Sequence, residues 1–221
     1  MNLEFATHER EPFFALAKNY IENNQKVLDI GAGNGDFANF CNRDDFYLFD
    51  GNEQTVESLK QKYKNVYLGR LPKLPFEDDL FDVIHCSHVV EHLEPNIFYD
   101  TLVEMNRCLR PEGYLIISAP LYWEGFYDDL SHIRPYPTAI YKNYLCNKQN
   151  NNRTRSCVSN KYSVVEEIYR FKELKNLTNS YPYPRNIIGK LWLKITLVLK
   201  NYAFKQYQKT GYTIVLKKGN I

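Results

Sequence analysis

Two rhythms of apolar and polar residues alternate along the chain. In one, apolar side chains recur every third or fourth position, as on the buried stripe of a helix. Phe13, Phe14, Leu16, Ala17, Tyr20 and Ile21 follow it, with Pro12 where a first turn accepts proline. In the other, short runs rich in β-branched and aromatic residues end at glycine, aspartate or proline, as strands do. Such runs fall at 27–30, 46–49, 66–68, 81–86, 114–119, 162–171 and 211–218, with helical stretches at 36–41, 53–64 and 102–109 among the first five. Strands interleaved with helices predict an α/β fold, a mostly parallel sheet with helices on both faces. Residues 121–137 keep neither period and read as a long aromatic loop, and 147–155 and 178–185 read as further loops.

The run at 27–30 stops abruptly at Gly31-Ala32-Gly33-Asn34-Gly35, and helical spacing resumes at Asp36. Strand, glycine turn and helix together open a nucleotide site in an open α/β sheet, because backbone without side chains can approach a ligand closely. A dinucleotide fingerprint is Gly-x-Gly-x-x-Gly, whereas here the third glycine comes one position early and Asp36 stands in its place. A carboxylate at that helix start repels a diphosphate. A ligand with a ribose and an amino acid but no phosphate fits better. Asp50 ends the second strand nineteen residues after Gly31, near the roughly 20-residue spacing at which such sheets place a ribose-binding carboxylate.

The stretch D-I-G-A-G-N-G resembles the first motif of class I S-adenosylmethionine-dependent methyltransferases. The resemblance continues through L-P-F-E-D-D-L-F-D-V-I at 74–84, Glu91-His92, and L-R-P-E-G-Y-L-I-I-S-A-P at 109–120. It implies a Rossmann-like, seven-stranded, mostly parallel sheet in a single domain whose last strand is antiparallel. An N-terminal helical segment, 1–25, precedes the methyltransferase domain, 26–221, with a lid loop at 121–137 and a C-terminal helix at 187–200. The implied cofactor is S-adenosylmethionine, bound by Asp29, Gly31, Ala32, Gly33, Gly35, Asp50, Gly51, Leu71 and Ser87. The glycine loop would lie under its methionine part, Asp50 on its ribose, and the Leu71 backbone at its adenine. Arg70 departs from the acidic residue that the family often has there.

Asp129, His132, Arg134, Pro135 and Tyr136 resemble a motif of methyltransferases acting on bacterial cell-surface glycans. That implies His132 as a base oriented by Asp129, since imidazole can take a proton near neutrality. His88, His92, Tyr122, Arg134 and Tyr136 would then hold the acceptor, a sugar hydroxyl in a glycan or its precursor. A small metabolite, a quinone intermediate or a transfer RNA base would also suit an aromatic loop, and a non-catalytic cofactor-binding subunit is the reading from another class. His85, His88, Glu91 and His92 are metal-ligand types, but the spacing His-Glu-x-x-His is absent, and no metal is expected.

Charge and composition narrow this further. Lys plus Arg exceed Asp plus Glu by 28 − 26 = 2, which gives nucleic-acid binding no support. The 5 cysteines are widely spaced without a Cys-x-x-Cys pair, and together with an N-terminus lacking signal-peptide character they point to the cytoplasm. The segment 187–200, apolar with Trp192, Lys190 and Lys194, could touch a membrane surface peripherally. Its preferred reading is a helix that covers the sheet. Oligomeric state has no signature here.

Overall fold

The computed structural model describes residues 3–146, 154–174, 186–203 and 207–220. Its seven strands are β1 (Val27–Ile30), β2 (Tyr47–Asp50), β3 (Val66–Leu68), β4 (Phe81–Ser87), β5 (Leu109–Pro120), β6 (Tyr162–Glu173) and β7 (Tyr207–Lys218). They form one sheet in the order β3-β2-β1-β4-β5-β7-β6. β1 to β5 pair in parallel, and β7 runs antiparallel to both its neighbours. The order reverses between β1 and β4, and an open sheet offers its ligand crevice at such a switch point, beyond the carboxyl ends of the strands.

All four residues of β1 are buried, because both sheet faces are covered. On one face Leu28, Ile84 and Ile117 pack with Phe98, Leu102 and Met105 of α4 (Pro95–Cys108), with Tyr141 of the short α5 (Ala139–Tyr141) and with Leu145. On the other, Val27, Val83 and Val215 meet α1 (Glu11–Lys18), α2 (Asp36–Cys41) and α3 (Glu53–Lys60) through Phe14, Ala17, Phe37, Ala38 and Leu59. The N-terminal segment thus shares the domain's core. Pro12 sits in the first turn of α1, and the Asn52 side chain caps α3 by accepting from Thr55 N.

Several boundaries move. The helix expected to run to 109 stops at Cys108, and Leu109 already pairs with Phe81 across β4 and β5. The loop reading of 178–185, and of 147–153 within 147–155, lies outside the described residues. The larger correction concerns α6 (Ile187–Ala203), which does not cover the sheet. Ile187, Ile188, Leu191 and Trp192 are 84%, 80%, 60% and 71% exposed, and Ile195, Val198 and Leu199 are exposed too. The sheet faces are already occupied by α1 to α3 and by α4 with residues 139–146. Among the described residues no helix is long and apolar enough to cross a membrane.

Residues 138–146 are fastened to β6 through Glu167, which accepts from Thr138 Oγ1 at 2.6 Å and from Lys142 and Tyr169. Burial opposes the charge on this carboxyl, yet these three bonds outweigh it and bring its pKa from 4.5 down to about 2. A carboxyl depressed by folding adds stability above its unfolded pKa and loses that contribution as pH falls through its folded one. Glu167→Gln is expected to melt below wild type at neutral pH, with the gap closing between pH 4.5 and about 2. A gap that survives at the acid end, measured by circular dichroism, would trace to packing rather than to charge.

Candidate active site

Beyond the carboxyl ends of β1, β2 and β4 lies a cleft of about 500 Å³. It is lined by Gly31, Asp50, Gly51, Arg70, Leu71, His88, Val89 and His92, among others. Gly31, with φ +72, belongs there for a steric reason: a Cβ on it would stand 2.2 Å from Val89 Cγ2. Its N–H donates to Phe49 O at 2.8 Å, tying the turn to β2. The Asp50 carboxylate is fixed by two backbone donors, Gly33 N to Oδ2 at 3.0 Å and Asn52 N to Oδ1 at 2.9 Å. Gly33 itself has φ +53, and a Cβ there would meet no atom within 4 Å.

Of the residues expected to hold the cofactor, Gly31, Asp50, Gly51 and Leu71 line this cleft, while Ala32, Gly33 and Ser87 are not among its lining. Two others are corrected. Asp29 is only 3% exposed, and its Oδ1 lies 2.7 Å from Nδ1 of His85, its register partner on β4. The buried carboxylate is satisfied inside the sheet, as a buried charge must be, with the His85 ring stacked 3.9 Å from that of Phe37. Gly35, with φ +78, turns toward α3, where a Cβ would meet Tyr63 Cε2 at 2.9 Å. It serves helix packing.

The acceptor residues also separate. His88 takes a left-handed φ of 56 and lines the cleft. Arg170 donates to its Nε2 at 3.0 Å, and because guanidinium only donates, the His88 hydrogen must sit on Nδ1, facing Glu91 Oε1 at 3.1 Å. Burial pushes the His88 pKa down and favours this neutral ring. Arg170, whose guanidinium lies 5.1 Å from the Phe13 ring centroid, is a site residue that periodicity could not reveal from 82 positions away. Tyr136 is corrected outright. It is 2% exposed, donates to Leu93 O at 2.8 Å, and accepts at its own carbonyl from Tyr212. Its ring packs on Phe98, so it anchors the loop in the core.

The loop 121–137 is irregular as expected, apart from one short turn at Phe126–Asp128. Ile133 N and Arg134 N both donate to Glu91 O, at 2.8 and 3.2 Å, which pins the loop to the turn after β4. The Asp129–His132 pair does not form. Asp129 is exposed and accepts from Ser131 N and Oγ at 2.8 and 2.6 Å. Aspartate readily closes such a local turn with the residue two positions on. His132 instead has Nδ1 2.6 Å from Phe126 O. A carbonyl only accepts, so Nδ1 carries the hydrogen and Nε2 holds the free lone pair. The ring lies 5.0 Å from that of His92, on the edge of the cleft. Tyr122 is 64% exposed, and Arg134, also exposed, has its guanidinium 5.8 Å from the Tyr136 ring centroid.

Comparison with known proteins agrees with this geometry. Residues 28–117 match the family described as methyltransferase domain. An uncharacterised methyltransferase of Schizosaccharomyces pombe is 28% identical over 134 residues, 50% of this chain and 48% of that protein. The probable methyltransferase PMT19 of Arabidopsis thaliana is 34% identical over 103 residues, 42% of this chain and 16% of that one. The chain therefore spans about half the length of such relatives, or less. A solved S-adenosylmethionine-dependent methyltransferase of Archaeoglobus fulgidus superposes with a TM-score of 0.62 at 22% identity, covering 95% of both chains. The fold is that of the class I methyltransferases. The segment 28–117 thus matches the methyltransferase-domain family, and the cofactor implied by that match and by the fold is S-adenosylmethionine.

The residues present fit that cofactor. Gly33 has open space where a Cβ would stand, with no atom within 4 Å, and beside it Asp50 presents a carboxylate braced by backbone N–H groups. Charge-assisted hydrogen bonds from ribose hydroxyls are worth about 1.5 to 3 kcal/mol each. Asp50→Ala is therefore expected to weaken S-adenosylmethionine binding by roughly ten- to a hundredfold in calorimetry. Unchanged affinity in a variant that melts like wild type would remove Asp50 from the ribose.

Proposed function

We propose that this chain methylates a sugar hydroxyl, in a surface glycan or its precursor, using S-adenosylmethionine. The cofactor supplies an electrophilic sulfonium methyl group, so the protein's task is chiefly to align donor and acceptor and to exclude water. Gly31, Asp50, Gly51 and Leu71 shape the donor side of the cleft, with Gly33 bracing Asp50. His92, His132, Tyr122 and Arg134 serve the acceptor. Exposed aromatic rings such as Tyr122 and Tyr127, 6.3 Å apart, suit the apolar face of a sugar.

One observation carries the acceptor reading: His132 is locked by Phe126 O in the tautomer that leaves Nε2 free, with its ring 5.0 Å from that of His92, which lines the cleft. That nitrogen takes the hydroxyl proton when no cation is held there. Phe126, fully buried, does the orienting first assigned to Asp129. General-base catalysis contributes a factor of roughly 10² to 10⁴, so His132→Ala is expected to lower turnover by that order and to leave cofactor affinity unchanged. Near wild-type turnover, with acceptors screened by product mass spectrometry, would remove His132 from the chemistry.

The exposed apolar face of α6 favours an acceptor carried on a lipid, with Lys190 and Lys194 in the same helix to meet anionic headgroups. On this reading the enzyme works at a membrane surface, in keeping with the expected cytoplasmic location. Wild type is expected to float with anionic vesicles, and the double variant Leu191→Glu, Trp192→Glu to stay behind. Equal flotation of the two would separate α6 from any lipid.

A further inference from the structure

Three side chains converge where the loop 121–137 meets the turn after β4. Glu91, His92 and His132 each bring one ligand-type atom to within 4.8 Å of the other two. Both histidines are held in one tautomer by main-chain carbonyls, His92 Nδ1 at 3.0 Å from Ser131 O and His132 Nδ1 at 2.6 Å from Phe126 O. Their hydrogens are committed to those carbonyls, and both Nε2 lone pairs are left over. Donation of the second ring N–H to a backbone carbonyl is the outer-shell pattern of metal-binding histidines.

Glu91 supplies the independent observation. The residue is fully buried, and while Oε1 faces the Nδ1–H of His88, Oε2 is buried with no hydrogen-bond partner. A buried carboxylate oxygen left unsatisfied is costly, and an ion is one of the partners that resolves it. His88 cannot be that partner twice, since its ring nitrogens already engage Glu91 Oε1 and, across the ring, Arg170.

We propose that Glu91 Oε2, His92 Nε2 and His132 Nε2 bind a divalent transition-metal cation of the zinc type. Two imidazoles and one carboxylate suit such an ion better than calcium or magnesium, which favour oxygen. Ligands on bonds of about 2.1 Å stand at most about 4 Å apart, and ligand-type atoms of the three residues lie within 4.8 Å of one another, so binding draws the side chains together. Three protein ligands leave a coordination position open. That position adjoins the cleft through His92 and would take water or the acceptor hydroxyl, whose proton a bound cation makes easier to lose to solvent water. His132 then acts as a ligand. Only this last role rests on the methyl-transfer reading; binding of the ion does not.

The test uses the full chain, stripped with a chelator and titrated with Zn²⁺ by calorimetry, with metal content measured after dialysis. Wild type is expected to retain one equivalent, and its Co²⁺ form to show visible absorption bands. His132→Ala and Glu91→Gln should each weaken Zn²⁺ binding tenfold or more, whereas Asp50→Ala should bind as wild type does. Since Glu91 is buried, the half-buried His132 provides the variant whose folding is secure. Absence of stoichiometric binding by folded wild type, or binding that neither substitution weakens, would overturn the site. Methyl transfer that persists without metal refutes the ion's catalytic role but not the enzyme reading. Stoichiometric metal without methyl transfer to any acceptor overturns the enzyme reading, and the ion's catalytic role with it, but leaves the metal site standing.

Discussion

The close approach of the turn after β1 to the turn after β4 governs the rest of the site. Gly31 and Val89 are in contact where any Cβ on residue 31 would intrude, to 2.2 Å from a methyl carbon. The chain must therefore leave β1 with a positive φ and no side chain, which carries Gly33 toward the tip of β2, where its N–H meets Asp50. The same crowding brings Val89 and the flanking His88 and His92 onto the floor of the cleft. A pocket at this switch point is thus a product of packing between two connections, before any ligand arrives.

What local pattern determines was legible in the sequence. The strand, glycine turn and helix at residues 27–41 declared the switch point, and the spacing from Gly31 declared Asp50. Hidden were pairings across long stretches of chain. Asp29 looks like a polar strand residue, and nothing near it in sequence announces His85, 56 positions on, which shares its register in the next strand. Arg170 reaches His88 from β6 in the same way.

The errors within the loop 121–137 have a different origin. A resemblance to a motif groups Asp129, His132 and Tyr136, but a motif does not show which partner each side chain takes. Asp129 closes on Ser131, the His132 ring turns to a main-chain carbonyl, and Tyr136 buries its ring while its hydroxyl finds Leu93 O. Phenol is amphipathic enough to be either a wet contact or a core anchor. The surroundings decide which. The helix at residues 187–203 failed for the same reason: its apolar stripe is real, but a stripe does not say what covers it.

The bond pair from Ile133 and Arg134 to the carbonyl of Glu91 has a consequence for how the protein could diversify. It joins the segment to the domain through main-chain atoms, so that attachment is indifferent to which side chains the segment displays. Residues 122–125 and 127–130 can therefore drift toward new acceptors while the anchors Phe126, His132 and Tyr136 and the donor side of the cleft stay under separate constraint. A lineage built on this chassis would change what it modifies far sooner than how it holds its methyl donor.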